Sequence, residues 1–530
     1  MRPLAMAMRC VADLAATSTM WALPAASKWV SGEEEERVDM VKNRWLHRGF
    51  MGMVATVIAV SSVSGIAQTA LPNLGDGTDL TPAAERKMGD RIARQLYRDP
   101  DYVDDPILGE YVQGIWQPLL AAARERGELP PELDEAYAWE ILMGRDASVN
   151  AFALPGAYFG LHLGLIGVVS SRDELASVLA HELSHVTQRH IARRLEKDSQ
   201  QSPLIMGAMI LALLAATKDP NSANGIQAAN AAIVGGQALG IQNQLNFSRD
   251  MEREADRVGF SISTQAGFAP QGFVTMFEKL QHATRLNDSG NFPYLRSHPL
   301  STERMADMES RIDTTTPSPP TARQNVPETD HAMMSARARV LSKTFVEKTE
   351  NTPEILYGKA LNAIKLREFT QAHTHWQALT AVVQKDAAAA RLARLARLLG
   401  VEILIAQGDA AQALKLLGVA NGRAELLLWA QVNPALKGVA QALQTWVIEN
   451  PRDALAWQEL SRIYAEQGLR VASIRALAES FVAQFDYSAA LARFKAAGEI
   501  TEKTHFEASI IDTRIRQMEA VIRADTSPRQ

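Results

Sequence analysis

Three residues, His181, Glu182 and His185, form an H-E-x-x-H pattern in a stretch of good helix formers, with Ser170 or Ser171 available as its N-cap. Residues four apart lie on one face of a helix, so the two imidazoles point at one spot, as in zinc-binding helices. Glu182 projects at a neighbouring angle, where its carboxylate can act as general base toward a water activated by zinc. The pattern predicts metallopeptidase chemistry with one Zn²⁺ per subunit. The alternative is a chance match on a surface helix.

A second charged stretch, residues 246–259, has a helical composition and contains two candidates for the third zinc ligand, Glu252 and Glu254. Glu252 and Asp256 are four apart and share a helix face, whereas Glu254 lies about 200° around the helix from Glu252. With Glu252 as ligand, Asp256 can accept the spare N–H of a ligating histidine. We therefore predict Glu252 as ligand, Asp256 as the orienting carboxylate and Glu254 as a solvated or salt-bridged bystander. A merely charged surface helix is the alternative.

His190 follows the H-E-x-x-H pattern closely and is a further candidate ligand. The helix is expected to continue through this residue, which places it about 140° around the helix from His185. His190 is therefore predicted to lie on the surface or behind the ligands, and not to bind the metal.

A strand–turn–strand precedes the predicted metal-binding helix. Residues 149–154 are extended, with Asn150, Ala151 and Phe152 at their start, Pro155 and Gly156 form the turn, and residues 158–165 return as a strand. This order is typical of zincin peptidases, in which an edge strand pairs with an extended substrate. A hairpin without a role in binding is the alternative. Other predicted elements are helices over 81–97 and 107–126 and a strand over 139–143.

Composition narrows the class of protein. A chain of 530 residues is too long for one core, so two or three domains are expected. The net charge of -5, without a long basic run, argues against nucleic acid as a partner. Cys10 is the only cysteine, which excludes an intrachain disulfide and a cysteine-ligated metal.

The N-terminal region has the pattern of an exported protein. Residues 1–39 show no sustained period and are predicted to be an unstructured leader, with the natural start at Met40 or later. Residues 40–67 combine a basic start, an apolar run and small residues near Ala67, as in a cleaved secretory signal peptide. The prediction is a periplasmic protein. An uncleaved membrane anchor is the alternative.

Residues 203–244 allow two interpretations. Their first part, 203–216, is strongly apolar but short for a membrane span, and the rest is rich in Ala, Gly, Gln and Asn. They are either a pair of core helices or a mobile flap over the cleft, and residues 203–216 could make peripheral contact with a membrane or with unfolded substrate.

The C-terminal part reads as helical. A linker rich in Pro and Thr is expected over 313–330, after a protease domain over 78–312. Residues 331–526 resemble degenerate tetratricopeptide repeats, which stack into a solenoid with a concave protein-binding surface. The predicted fold is therefore an α+β zincin-like protease domain, mostly helical with a small sheet beside the active-site helix, followed by an all-α tetratricopeptide-type solenoid.

Taken together, residues 70–310 resemble gluzincin peptidases of the CAAX prenyl protease and HtpX type. With the signal and the helical C-terminal half, the chain is most similar to periplasmic proteases that support β-barrel assembly. One departure is that the CAAX proteases have many membrane spans. The residues that carry the resemblance are His181-Glu182-x-x-His185, Glu252-x-x-Ala255-Asp256, the 150–156 hairpin and Ser297-His298-Pro299-Leu300-x-x-x-Arg304. The resemblance implies that His298 acts in catalysis as a fourth, displaceable zinc ligand.

The expected function is that of a periplasmic zinc endopeptidase for misfolded or misassembled outer-membrane proteins. Its repeats would recruit these substrates or the outer-membrane assembly machinery. The alternative is a periplasmic chaperone or scaffold with a structural or latent zinc site. A third possibility, an anchored membrane peptidase, depends on retention of the signal.

Overall fold

The structure is a computed structural model that describes residues 81–197, 248–285, 292–314, 329–384, 389–420, 422–432, 438–502 and 506–526. All of them belong to one compact unit, residues 73–530. The predicted leader, signal peptide and 203–244 segment lie outside the described residues. So does the predicted linker, except for its ends, which belong to flanking helices. Among the described helices, none combines the length and the apolar character that crossing a membrane requires.

Two capped helices begin the described chain, α1 (Pro82–Tyr97) and α2 (Pro106–Glu125). Each starts with proline at its first position, and the side chains of Thr81 and Asp105 accept hydrogen bonds from the backbone of the first turn. Trp116 of α2 is fully buried and packs edge-on against Phe159, with ring centroids 4.7 Å apart. Both predicted helices are present, followed by the short helix α3 (Pro131–Ala136).

Four strands form one sheet. They are β1 (Tyr102–Val103), which lies between α1 and α2, β2 (Glu140–Gly144), β3 (Ala151–Leu154) and β4 (Tyr158–His162). The strand order is β1-β2-β4-β3, with β2 and β4 parallel and β3 and β4 antiparallel. Strand β3 is therefore an edge strand, as predicted. The second strand of the hairpin is shorter than predicted, because α4 (Leu163–Val168) begins at residue 163. There the backbone N–H of Gly164 donates to Asp146 O, and a Cβ on Gly164 would lie 2.1 Å from Ala147 O.

Helix α5 (Arg172–Thr187) lies at the centre of this part of the molecule and is buried from Glu174 to its end. It packs against α7 (Arg249–Gln265) and α8 (Gln271–Arg285), and also contacts β3. Gly259 of α7 lies against α5, where an added Cβ would be 3.0 Å from the carbonyl of Ala180. The absence of a side chain at Gly259 therefore permits close approach of the two helices.

The expected continuous helix through His190 is wrong. Helix α5 ends at Thr187, Arg189 has a left-handed φ of 52°, and a separate helix α6 (His190–Lys197) begins at His190. A left-handed residue breaks the i to i−4 hydrogen-bond ladder and redirects the chain. Two helices complete the first part, α9 (Tyr294–Ser297) and α10 (Thr302–Thr314).

The remaining described elements are helices that pack mainly on their neighbours in sequence. Their bounds are α11 (Thr329–Leu341), α12 (Pro353–Leu366), α13 (Phe369–Val383), α14 (Ala389–Gln407), α15 (Ala410–Leu417), α16 (Arg423–Val432), α17 (Val439–Glu449), α18 (Ala454–Glu466), α19 (Arg470–Ala483), α20 (Tyr487–Glu499) and α21 (Phe506–Thr526). This succession agrees with the predicted helical solenoid. The fold class is confirmed: a mostly helical first part with a small sheet, followed by helices.

Three acidic residues at the start of α2 join the first part of the chain, up to α10, to the second part, the helices α11 to α21. Asp104 accepts two hydrogen bonds from Arg423 at 2.7 and 2.8 Å. Asp105 pairs in the same bidentate manner with Arg337 at 2.7 and 2.8 Å. Glu110, one turn further on, pairs with Arg394 at 2.6 Å. The three arginines lie on α16, α11 and α14, so one end of α2 contacts several helices of the second part.

Candidate metal centre

Helix α5 carries the first two predicted zinc ligands. Its N-terminus is capped by Ser171 Oγ, which accepts from the backbone N–H of Glu174 at 3.1 Å. One turn separates His181 from His185, and their Nε2 atoms lie 2.9 Å apart. Burial and the neighbouring His181 hold the pKa of His185 well below its ordinary value.

Helix α7 supplies the two predicted carboxylates. Ser248 caps the helix by accepting from the N–H of Met251 at 3.2 Å. Glu252 Oε2 lies 3.5 Å from His181 Nε2, and Glu252 Oε1 lies 3.5 Å from His185 Nε2. Asp256 Oδ1 lies 2.9 Å from His181 Nδ1. The structure therefore brings Glu252 to the ligand atoms of both histidines and Asp256 to the opposite side of the first.

His298 follows α9 and also reaches this cluster. Its backbone N–H donates to Tyr294 O, and the Tyr294 ring stacks on the imidazole with centroids 4.6 Å apart. His298 Nδ1 lies 3.2 Å from His181 Nε2 and 3.1 Å from Glu252 Oε1. His298 therefore lies beside the ligand atoms of His181 and Glu252.

The four donor groups form one buried set that fits a zinc ion. His181, His185, Glu252 and His298 each offer one ligand atom, and these atoms all lie within 4.8 Å of one another. The closest pairs are 2.9 to 3.5 Å apart. Ligand atoms of a tetrahedral zinc with bonds of about 2.0–2.1 Å are separated by about 3.3 Å. Both the chemistry and the spacing of the donors therefore suit zinc.

Glu182 lies beside this set without belonging to it. Its side chain is buried, and neither carboxylate oxygen forms a hydrogen bond of normal geometry. His298 Nε2 lies 3.3 Å from Glu182 Oε1. Burial raises the pKa of Glu182 above its ordinary value, partly offset by His298. A buried carboxyl group with a raised pKa beside a metal-ligand set is suited to accepting and releasing a proton.

Arg304 belongs to the motif that begins at Ser297, but the sequence predicted no role for it. Arg304 is buried and donates to both carboxylate oxygens of Asp256, through Nε at 2.6 Å and Nη2 at 2.8 Å. Its Nη1 lies 2.9 Å from Glu252 Oε2. Burial opposes the ionised form of Asp256, but Arg304 outweighs it and lowers the pKa of that carboxyl. Arg304 therefore keeps the carboxylate that orients His181 charged. The spacing between His298 and Arg304 in the sequence was the feature that could have indicated this role.

His190 is not on the surface, which was one of its two predicted places. It is fully buried, and its Nδ1 lies 2.9 Å from His185 Nδ1, behind that ring and away from the ligand atoms. Glu254 is salt-bridged, as one of its predicted states required. Its Oε2 lies 3.0 Å from His190 Nε2 and 2.9 Å from Arg193 Nη1.

The predicted substrate strand lies along the edge of the sheet. Asn150 O accepts from the backbone N–H of His162 at 3.0 Å, just before β3 begins at Ala151. Phe152 pairs with Gly160 of β4, where its ring occupies the space that a Cβ on Gly160 would need. On its other side β3 has no strand partner within the described sheet.

Comparisons with known proteins agree with this geometry. A family model described as Peptidase family M48 matches residues 119–312. A putative beta-barrel assembly-enhancing protease of Vibrio cholerae is 30% identical, over 88% of this chain and 96% of its own length. The beta-barrel assembly-enhancing protease of Escherichia coli K12 is 27% identical over the same shares. The mitochondrial metalloendopeptidase OMA1 of Saccharomyces cerevisiae is 30% identical over 37% of this chain and 54% of its own length. The resemblance predicted from the motifs is confirmed.

Proposed function

The chain belongs to peptidase family M48, together with the beta-barrel assembly-enhancing proteases, and is a zinc metallopeptidase. We propose that it is a periplasmic endopeptidase that cleaves misfolded or misassembled outer-membrane proteins. The observation that carries this proposal is the buried set of four donors with the buried carboxylate of Glu182 beside it. An intact base next to an intact ligand set favours catalysis over the alternative of a scaffold with a latent zinc site.

In this proposal His181, His185 and Glu252 hold the zinc. With zinc bound, His298 would be the fourth donor, and if substrate took its place its imidazole would be available to the reacting carbonyl oxygen. Asp256 orients His181 through the 2.9 Å contact with Nδ1. Zinc supplies Lewis-acid activation of water and of the scissile carbonyl.

Glu182 moves the proton in this reaction. The carboxylate is buried beside the ligand set, with Oε1 3.3 Å from His298 Nε2, and can accept the proton of the attacking water. The same carboxyl then delivers the proton to the leaving amine. Burial raises its pKa toward the range in which a carboxyl group both accepts and donates at neutral pH.

The substrate class follows from the edge strand. Asn150 precedes β3, and Ala151 and Phe152 begin it; the strand runs beside α5, which carries the two zinc histidines. An extended peptide can add to such an edge by backbone hydrogen bonds, which require no particular side chains. Only unfolded or locally opened chains can adopt this conformation, which suits a quality-control protease.

The remaining parts of the proposal concern location and recruitment. The signal-like residues 40–67 favour export to the periplasm, and the relatives named for β-barrel assembly favour outer-membrane proteins as substrates. We propose a protease domain over 78–312, a linker over 313–330 and tetratricopeptide-like repeats over 331–526. The repeats would bind substrates or the outer-membrane assembly machinery, with peripheral membrane contact through 203–216.

A single substitution tests the enzymatic part of the proposal. Glu182→Gln removes the base but no zinc ligand, so the variant should keep one zinc per chain and lose cleavage of an unfolded outer-membrane protein. Zinc content is measured by atomic emission and cleavage by gel assay. Removal of zinc with a chelator should abolish wild-type cleavage, and added zinc should restore it. Equal cleavage by Glu182→Gln and wild type would refute the assigned role.

A further inference from the structure

The two zinc histidines of α5 are supported differently. His181 has the carboxylate of Asp256 2.9 Å from its Nδ1. His185 instead has a second imidazole behind it, with His190 Nδ1 at 2.9 Å from His185 Nδ1. Both partners stand on the side of the ring opposite the Nε2 atoms that face each other in the centre. A metal-binding imidazole needs a partner of this kind to fix its orientation and tautomer.

The proton positions on His185 and His190 follow from the carboxylate of Glu254, which lies at the far side of His190. Glu254 Oε2 lies 3.0 Å from His190 Nε2, and an ionised carboxylate can only accept. His190 Nε2 therefore carries the hydrogen, which leaves Nδ1 of the neutral ring as an acceptor. His185 Nδ1 must then be the donor, so the lone pair of His185 lies on Nε2. That is the nitrogen directed at the other ligand atoms.

The backbone is bent so that these two rings can meet. On a continuous helix a residue five positions on would be about 140° away from His185. The chain instead breaks after α5, with Arg189 in a left-handed conformation at φ 52°, and the Arg189 side chain donates to Glu85 at 3.0 Å. Non-glycine residues rarely adopt this conformation, which carries a cost in free energy. The bend returns His190 to full burial against His185.

We propose that His190 and Glu254 form a positioning pair that sets the tautomer and orientation of His185 for zinc. This inference rests on the proposed zinc site and assigns His190 no direct contact with the metal. An imidazole in this place adds no negative charge to a centre that already holds Glu182, Glu252 and Asp256 with Arg304 as their buried cation. A fourth carboxylate next to the ligands would increase that excess.

The experiment measures zinc affinity in the full chain by competition with a chromogenic chelator. His190→Phe keeps a ring of similar size but removes both hydrogen bonds, and should weaken zinc binding roughly 10- to 100-fold. His190→Asn places an oxygen near the Nδ1 position and should retain much of the affinity. Glu254→Ala removes only the far partner and should give a loss between those two. His331→Phe is the matched control, because His331 is also buried and hydrogen-bonded but lies outside the site.

A second readout separates positioning from general destabilisation. Cobalt-substituted wild type, His190→Phe and His331→Phe are compared by visible absorption, which reports ligand geometry. Only His190→Phe should alter the spectrum. Unchanged zinc affinity and cobalt spectrum in His190→Phe would overturn the inference, as would an equal loss of affinity in His331→Phe.

Folding failure of one variant does not remove the test. If His190→Phe does not fold, wild-type affinity in Glu254→Ala overturns the inference, and a graded loss across Glu254→Ala and His190→Asn supports it. A wild-type chain that binds no zinc would refute the proposed function itself. A wild type that binds zinc, with all variants equal to it, would refute only the positioning pair.

Discussion

Arg337 offers a sharp test of how the two parts of the chain are joined. This guanidinium is buried on α11, between α2 and α14. It donates to Asp105 at 2.7 and 2.8 Å and to Glu402 at 2.6 and 2.9 Å, with a further bond to the hydroxyl of Tyr357 at 3.0 Å. Arg337→Met keeps most of the aliphatic stem and removes the charge, so two carboxylates lose their shared cation.

The expected loss of stability follows from their burial. Asp105 is buried and Glu402 is partly exposed, so Glu402 can regain water while Asp105 cannot. Breaking a buried ion pair by removing one partner costs about 3–5 kcal/mol. The unfolding entropy of a unit spanning residues 73–530 is on the order of 1 kcal/mol/K. The Tm of Arg337→Met should therefore fall by about 3–5 °C if this unit unfolds cooperatively.

The assay is differential scanning calorimetry of the full chain at neutral pH. Arg339→Met is the matched control, since Arg339 lies on the same helix but, among the described residues, donates hydrogen bonds to Ser335 alone. Its Tm should change by less than about 1 °C, as is usual away from such features. Equal melting of Arg337→Met and wild type, or equal shifts in both variants, would refute the argument that this arginine joins the two parts.

Three other predictions concern the site and the same junction. Gly259→Ala places a Cβ 3.0 Å from the backbone of α5 and should lower zinc affinity by displacing α7, whereas Gly114→Ala, with open space around its Cβ, should not; chelator competition measures both. Arg304→Lys keeps the charge but loses the bidentate contact with the carboxylate that orients His181, and should weaken zinc binding roughly tenfold in the same assay. Burial opposes ionisation of Asp105, but Arg337 outweighs this effect and holds the pKa of that carboxyl below its ordinary value. The ionised Asp105 therefore stabilises the fold above about pH 4, and this stabilisation is lost as the pH falls through the lowered folded pKa. Thermal melting should accordingly show that Asp105→Asn loses less stability than the wild type between about pH 5 and pH 3. An equal loss in both proteins would contradict this assignment.

Much of the local structure was predictable because it depends on neighbours in sequence. Helices α1 and α2 begin within a residue of their predicted starts, since Thr81, Asp105 and the prolines that follow them are strong start signals. The hairpin and its edge strand were also predicted. The end of β4 was not, because Gly164 turns the chain through a contact with residues 146–147, outside the strand itself.

The sequence by itself determined the pairs whose geometry is local: His181 with His185, and Glu252 with Asp256, each one helical turn apart. Tertiary structure decided which groups support them. Arg304 reaches Asp256 across 48 positions, and His190 reaches His185 only because one left-handed residue breaks the helix between them. Helix periodicity sets which residues share a face, but it carries no information on where a helix stops or on what another segment places against it.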